Sequence, residues 1–320
     1  MQLGDIYCLG KSYKRAIWNR AMKPFNGGTG MQHLVKEVQV HLSSGELAIQ
    51  EWGDNSKPTI ICLHGWLDNS ATFHRLAPLL SQDYHLLVVD LPGHGSSEPL
   101  AEGAHYYIWQ NIETLFELLA VKEIDSVHLL GHSMGGVVAS LFAGTFADRV
   151  LSLTLLDSLG PMTSESEQTP GQLAKAIIDC QRTSSPLRIF AGIDDALEAR
   201  KKSSPSMTDD ALRPIVERNL KVVEGGYCWR TDVRLRHTSK VRLSEDQVSA
   251  FLKAINAPVL IIMAERGIMP KVWVEERIKG IKRAQLVYLP GHHHFHAEQE
   301  PADAINSHVK QFLRALKDIC

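Results

Sequence analysis

Hydrophobic and polar residues follow two kinds of pattern along most of this chain, one typical of strands and one typical of helices. Residues 35–41 and 47–52 alternate apolar with polar side chains, as half-buried strands do. The short continuous apolar runs at 59–63 and 86–89 are typical of strands that are buried on both faces of a parallel sheet. Residues 108–119 instead place apolar side chains every three or four positions, which predicts an amphipathic helix.

The same patterns continue on both sides of one long interruption. Further strands are predicted at 127–130, 150–156, 258–263 and 285–289, and further helices at 76–80, 137–146, 272–278 and 302–316. Because strands alternate with helices, the sequence predicts a parallel sheet covered by helices on both faces. The alternation stops over residues 159–247, a segment that we call the insert. We interpret the insert as a helical cap over the carboxyl ends of the strands, with residues 31–158 and 248–320 forming the core.

Residues 1–30 differ from the rest of the chain in charge and in pattern. They contain five basic side chains and one acidic side chain, and no apolar run of signal-peptide length. Terminal segments without an apolar pattern usually remain unpacked. We therefore expect a disordered or non-native extension, with the true start near Met31, and an organelle-targeting segment is the alternative.

Composition and charge narrow the class of protein. The 320 residues include 34 basic and 36 acidic side chains, and this net charge of -2 argues against a nucleic-acid-binding protein. No apolar stretch approaches the roughly 18 residues that span a bilayer, so no membrane span is expected. The five cysteines form no C-x-x-C pair, which argues against zinc ribbons and disulfide scaffolds and favours a cytoplasmic location. A soluble intracellular enzyme or binding protein is therefore expected.

The strongest chemical signal is the pentapeptide GHSMG at residues 131–135. It follows the predicted strand at 127–130 and opens a helical pattern. That context of strand, sharp turn and helix is typical of a nucleophile elbow, in which the serine is presented at the edge of a sheet. We therefore identify Ser133 as the candidate nucleophile, and the alternative is a structural turn with an incidental serine.

A second signal lies in the loop after the predicted strand at 59–63. Acyl transfer needs two preorganised backbone N–H groups that bind the developing oxyanion. One is supplied by the residue after the nucleophile, here Met134. The other is supplied by a loop after an earlier strand, here Trp66 in the sequence His64-Gly65-Trp66. The His-Gly dipeptide means little alone, but together with the downstream elbow it predicts an oxyanion hole.

These motifs, and the order in which they occur along the chain, resemble those of the α/β-hydrolase fold superfamily. The resemblance rests on LHGWLDN at 63–69, DLPGHGS at 90–96, GHSMGGVV at 131–138 and a late histidine-rich loop, and it extends over residues 35–316 apart from the insert. The first and third phrases are most similar to those of serine hydrolase-like proteins and their bacterial relatives. The resemblance implies a mostly parallel eight-stranded sheet flanked by helices, an inserted helical cap, a Ser-His-acid triad, and neither metal nor cofactor.

The resemblance also implies that the general base lies in the loop after the last strand. This loop contains four histidines, His292, His293, His294 and His296. The family's pattern, roughly G-x-H-x-x-H-x-E-x-P, assigns His293 to the position of the base. A metal site is the rival interpretation of the cluster, but four histidines on one short loop cannot easily converge on one ion.

The acid of the triad is missing from its usual position. Many members of the superfamily carry an Asp in a G-x-x-D motif after the strand predicted here at 258–263, where this chain has Gly267. Some members take the acid from the end of the preceding strand, where Asp157 stands. We therefore expect Asp157 to orient His293. Glu265 is the alternative acid, and the structural alternative for Asp157 is that it caps local backbone groups.

A serine nucleophile favours an acyl substrate, because members of the superfamily that act on haloalkanes or epoxides use an Asp instead. The sequence thus predicts a carboxylesterase-like serine hydrolase that forms an acyl-enzyme with a small-molecule substrate. A thioesterase or lipase and a carbon–carbon bond hydrolase with the same triad are the alternative enzymes. A ligand-binding protein of the same fold without turnover is the alternative of another class.

The insert contains one conspicuous basic stretch. Five basic side chains surround a single Asp within WRTDVRLR at 229–236 and the following residues up to Arg242. The stretch indicates either a solvated, salt-bridged surface or a site for an acidic substrate or partner.

Overall fold

The computed structural model describes residues 18–19, 23–24, 34–181 and 188–317. Its strands are β1 (Trp18–Asn19), β2 (Lys23–Pro24), β3 (Leu34–Leu42), β4 (Gly45–Trp52), β5 (Thr59–Leu63), β6 (His85–Val89), β7 (Val127–His132), β8 (Val150–Leu156), β9 (Leu220–Val223), β10 (Gly226–Trp229), β11 (Val259–Arg266) and β12 (Ala284–His292). Its helices are α1 (Leu76–Leu80), α2 (Ile108–Val121), α3 (Met134–Thr145), α4 (Thr169–Gln181), α5 (Ile193–Lys201), α6 (Asp209–Arg218), α7 (Glu245–Ala254), α8 (Lys271–Ile278) and α9 (Gln299–Lys317). Every strand and helix predicted outside the insert is present, with its ends within three residues of the prediction.

One large sheet forms the centre of the molecule. Its strand order is β1-β3-β4-β6-β5-β7-β8-β11-β12, and β2 also pairs with β3. The strands from β6 to β12 in this order are parallel, whereas β3 and β4 run antiparallel to their neighbours. The predicted α/β-hydrolase sheet of eight mostly parallel strands is therefore confirmed, with β1 and β2 added at one edge. Apart from β1 and β2, residues 1–30 lie outside the described part of the chain. The predicted disordered or non-native extension falls on these residues.

Each face of the sheet is covered by its own apolar layer. In β5, Ile61 and Leu63 point to the face that α2, α3, α7 and α8 cover, while Ile60 and Cys62 point to the face that α1 and α9 cover. Successive strand residues point to opposite faces, so a strand covered on both sides needs apolar residues at every position. This is the physical reason for the continuous apolar runs in the sequence. No helix in the described residues combines the length and apolarity needed to cross a membrane.

The insert contains more than the helices that the sequence predicted. Helices α4, α5 and α6 are followed by the hairpin of β9 and β10 and then by a 3-10 turn at Val233–Arg236. Leu197, Leu212 and Ile215 belong to a separate apolar cluster of this region. Arg218, at the end of α6, joins the insert to the core. Its guanidinium donates to Asp90 at 2.9 Å and to Glu37 at 2.7 Å.

Candidate active site

Ser133 lies in a strained turn between β7 and α3. Its backbone has φ 50° and ψ -118°. Residues other than glycine rarely adopt a positive φ of this kind. Surrounding hydrogen bonds hold this conformation. The Ser133 N–H donates to the Leu156 carbonyl at 3.1 Å, and the Ser133 carbonyl accepts from the Ser158 hydroxyl at 2.8 Å. The strain is thus fixed by the neighbouring strand end, as expected at a functional turn.

Glycine is required at one position of this turn by a close approach of two backbones. A Cβ atom on Gly135 would lie 2.0 Å from the carbonyl oxygen of Leu63. Only the absence of a side chain lets the first turn of α3 pack against the end of β5. The same approach brings Ser133 beside the loop that follows β5, which contains Trp66.

The three residues predicted to form the triad lie in hydrogen-bonding contact. The Nε2 atom of His293 is 2.9 Å from the Ser133 hydroxyl, and its Nδ1 atom is 2.6 Å from Oδ2 of Asp157. Because a carboxylate can only accept, Nδ1 carries the proton that is donated to Asp157, and Nε2 is left to accept from Ser133. The three side chains follow β7, β8 and β12, whose carboxyl ends meet at one edge of the sheet. This arrangement can transfer a proton from the serine hydroxyl.

Asp157 occupies the space in which the superfamily's usual acid would stand. Its side chain is fully buried, and its oxygens accept from the backbone N–H groups of Ala264 at 3.2 Å and Ile268 at 3.1 Å. A Cβ atom on Gly267 would lie 2.1 Å from Oδ1 of Asp157. Gly267 therefore makes room for an acid that arrives from the neighbouring strand. The side chain of Glu265 is exposed and contacts neither His293 nor any other described residue by a hydrogen bond or ion pair.

Two free backbone donors lie at the positions predicted for the oxyanion hole. Within the described residues, the N–H groups of Trp66 and Met134 have no hydrogen-bond acceptor. The loop before Trp66 is organised by the buried ring of His64, which donates through Nδ1 to the Gly65 carbonyl at 2.7 Å and accepts through Nε2 from the Leu91 N–H at 3.0 Å. Burial lowers the pKa of His64, so the ring stays neutral and keeps the lone pair that Leu91 needs.

The other histidines near the base have separate partners. His294 lies 3.1 Å from Oδ2 of Asp68, His296 lies 2.8 Å from the Thr72 hydroxyl, and His292 lies 3.4 Å from Glu298. His132 bonds through Nε2 to the carbonyl of His293 at 2.9 Å. Burial holds the pKa values of His132 and His296 well below the usual range, so both rings are neutral packing elements. Among the described residues, no group of three or more His, Cys, Asp or Glu side chains is arranged to hold a metal ion.

One buried carboxylate beside the site was not singled out from the sequence. Asp68 is 1% exposed and contacts His294 and the guanidinium of Arg200, the latter at 2.7 Å. Burial alone would raise the pKa of Asp68, but its interactions with His294 and with the Arg200 guanidinium outweigh burial and hold that pKa well below the usual range. The position of Asp68 in the phrase LHGWLDN was an available signal. Arg200 had none, because it lies 132 residues away in the insert.

The basic stretch of the insert divides into two parts. Asp232 accepts from the Tyr106 hydroxyl at 2.8 Å and from Arg234, and Arg234 also donates to the carbonyl oxygens of Leu100, Ala101 and Ala104. Asp232 and Arg234 thus fasten the 3-10 turn to the core. The side chains of Arg236, Lys240 and Arg242 form no ion pair or hydrogen bond with another described residue.

Proteins similar to this chain in sequence or fold include hydrolases. Residues 58–176 match the family described as alpha/beta hydrolase fold. A serine hydrolase-like protein of Danio rerio is 29% identical over 301 residues, which cover 89% of this chain and 90% of that relative. A pimeloyl-[acyl-carrier protein] methyl ester esterase of Aeromonas salmonicida is 37% identical over 131 residues, which cover 41% of this chain and 48% of that relative. The crystal structure of a hypothetical protein of Pseudomonas aeruginosa PAO1 superimposes with a TM-score of 0.81 at 32% identity, covering 87% of this chain and 99% of the other.

Proposed function

Since this chain belongs to the α/β-hydrolase fold superfamily and is similar to serine hydrolase-like proteins, we propose that it is a serine hydrolase that cleaves a carboxylic ester. Fold alone does not determine chemistry, so the proposal depends on the site. The observation that supports it most is the chain of contacts from Ser133 through His293 to Asp157, at 2.9 and 2.6 Å.

In the proposed first half-reaction, Ser133 attacks the acyl carbonyl while His293 takes the hydroxyl proton at Nε2. Asp157 stabilises the imidazolium that forms. The negative charge that develops on the carbonyl oxygen is accepted by the N–H groups of Trp66 and Met134. His293 then donates its proton to the leaving alkoxide, the carbon–oxygen bond breaks, and the acyl group remains on Ser133.

The second half-reaction reverses these roles with water. His293 takes a proton from a water molecule, the hydroxide attacks the acyl-enzyme, and the oxyanion forms again at the same two N–H groups. Collapse of the intermediate breaks the bond to Ser133, which recovers the proton from His293. The products are a carboxylic acid and an alcohol, and the enzyme returns to its starting state.

We propose a small or medium acyl group with an apolar part, and its apolar character is supported by apolar side chains that lie exposed at the edge of the sheet that carries Ser133. Trp66, Met162 and Ile268 are 52, 52 and 62% exposed and belong to the loops after β5, β8 and β11. Exposed apolar residues grouped around a nucleophile favour contact with an apolar part of a substrate. The likeness to a methyl ester esterase supports an ester over other acyl compounds. The insert would then select the substrate as a cap.

A chain-length series of p-nitrophenyl esters tests this function, with Ser133→Ala as the control. We expect turnover of short to medium esters by the wild type and a loss of at least about a thousandfold in Ser133→Ala. An acyl thioester and a 1,3-diketone, tested in parallel, distinguish a thioesterase and a carbon–carbon bond hydrolase. A folded wild type that binds such ligands without hydrolysing any of them would instead be a ligand-binding protein.

A further inference from the structure

We propose that the insert, beyond covering the site, positions the oxyanion hole by holding the loop that contains Trp66. This inference rests on the proposed function, because it concerns the Trp66 N–H as an oxyanion donor. Three side chains of this loop each bond to a different element of the insert. The indole of Trp66 donates to the Leu235 carbonyl at 2.9 Å, Asp68 accepts from Arg200 at 2.7 Å, and the amide of Asn69 donates to the Ile215 carbonyl at 2.8 Å.

The loop needs external support because its backbone is strained between two of these contacts. Leu67 has φ 61°, in the left-handed region that a branched side chain rarely adopts. Such a conformation persists only where the surroundings fix it on both sides. Trp66 precedes Leu67 and Asp68 follows it, and both are held by the insert. The direction of the Trp66 N–H therefore depends on contacts made outside the core.

The insert is itself firmly fixed where it holds the loop. Leu235 belongs to the 3-10 turn that Asp232 and Arg234 fasten to the core, through the Asp232 N–H to the Gly93 carbonyl at 2.9 Å and through Arg234 to the Leu100 carbonyl at 2.6 Å. The helix that contains Ile215 ends at Arg218, which bridges to the core. A rigid support of this kind can hold a donor in place for a charge that appears only in the transition state.

Arg200 is the most informative residue to change, because it forms no hydrogen bond with Ser133, His293 or Asp157 and bonds to the loop through Asp68. Arg200→Gln removes the charged partner of a buried carboxylate and should let the strained loop relax. We expect kcat to fall about tenfold to a hundredfold with KM changed less than about twofold, since a displaced oxyanion donor weakens only the transition state. Arg200→Lys, which keeps the charge, should recover part of the loss.

Arg213→Gln is the matched control on the same insert. Among the described residues, Arg213 forms ion pairs only with Asp194 and Glu217, which also lie in the insert, so its loss should leave kcat unchanged. Trp66→Phe is the second test, because it removes the indole donor to Leu235 but keeps the backbone N–H. If both changes act on one N–H group, the loss in Trp66→Phe/Arg200→Gln should be smaller than the product of the single losses.

A trifluoromethyl ketone reports on the oxyanion hole directly, because its adduct with Ser133 places an oxyanion there. We expect its inhibition constant to rise by the same factor as kcat/KM falls, and the pH dependence of kcat/KM to keep its shape. The inference is overturned if Arg200→Gln and Trp66→Phe raise only KM, leave inhibitor affinity unchanged, or match Arg213→Gln. Absence of esterase turnover in the wild type would instead count against the proposed function. If Arg200→Gln does not fold, Trp66→Phe, at an exposed side chain, still decides.

Discussion

Asp157→Asn tests the assignment of the triad acid, because asparagine has the shape of aspartate but only one acceptor oxygen. In the structure, Oδ1 of Asp157 accepts from the Ala264 N–H, while Oδ2 accepts from both the Ile268 N–H and Nδ1 of His293. An asparagine can satisfy only one of these two groups of donors. The orientation that it adopts decides whether His293 keeps the correct tautomer.

The less costly orientation is the one that disables the base. If the amide NH2 replaces Oδ2, one of its hydrogens can be donated to His293, provided that the ring moves its proton from Nδ1 to Nε2. The Ile268 N–H and the second amide hydrogen are then left without acceptors. If the NH2 replaces Oδ1, the Ala264 N–H and both amide hydrogens lack acceptors in a fully buried place, at about 1–3 kcal/mol for each unsatisfied group. With Nε2 protonated, His293 cannot accept the Ser133 proton. We therefore expect kcat/KM to fall about 10³- to 10⁴-fold, or about 4 to 5.5 kcal/mol.

Steady-state hydrolysis of the best p-nitrophenyl ester measures this loss, with Glu265→Gln as the matched control. Glu265 has an exposed carboxylate near the end of the adjacent strand, so its removal should change kcat/KM less than about twofold. Thermal unfolding of both variants shows whether the fold is retained. A larger loss in Glu265→Gln than in Asp157→Asn would refute the assignment of Asp157.

Two further changes test the packing around the site. Gly267→Ala would place a methyl group 2.1 Å from Oδ1 of Asp157. We expect this contact to displace Asp157 and misalign His293, so that kcat/KM falls at least about tenfold. Wild-type activity in this variant would contradict the expectation and show that the backbone at the strand end moves instead. Burial and the charge of Arg75 lower the pKa of His74 to about 4 from 6.5, so its contribution to stability is present above pH 6.5 and is lost as the pH falls towards 4. Between pH 7 and 5 this loss is about 2 kcal/mol. In urea unfolding, the free energy of unfolding of His74→Gln should therefore depend less steeply on pH than that of the wild type, and an equal slope in both proteins would contradict this expectation.

Local patterns predicted the sheet and the sharp turn that carries Ser133, because the causes of both are local. The continuous apolar run of β5 reports burial on both faces of the sheet, and the glycines of the elbow report a close approach of two backbones. Asp157 also had a local signal, since Gly267 left the usual acid position empty. In the structure, the Asp157 carboxylate fills that space.

Features that depend on distant parts of the chain had no comparable signal. The partner of Asp68 is Arg200, 132 residues later, and the carbonyl that accepts from Trp66 belongs to Leu235, 169 residues later. The hairpin Leu220–Trp229 was also missed, because its strands are only four residues long and show no clear alternation. Such contacts are set by how the insert packs on the core.

Labelling with a fluorophosphonate, followed by peptide mass spectrometry, tests most directly whether Ser133 is an activated nucleophile. The proposed mechanism predicts one adduct per chain, located on Ser133, with no adduct in Ser133→Ala and a rate of labelling that is strongly reduced in His293→Ala. A folded wild-type protein that is not labelled, or equal labelling of Ser133→Ala, would contradict it.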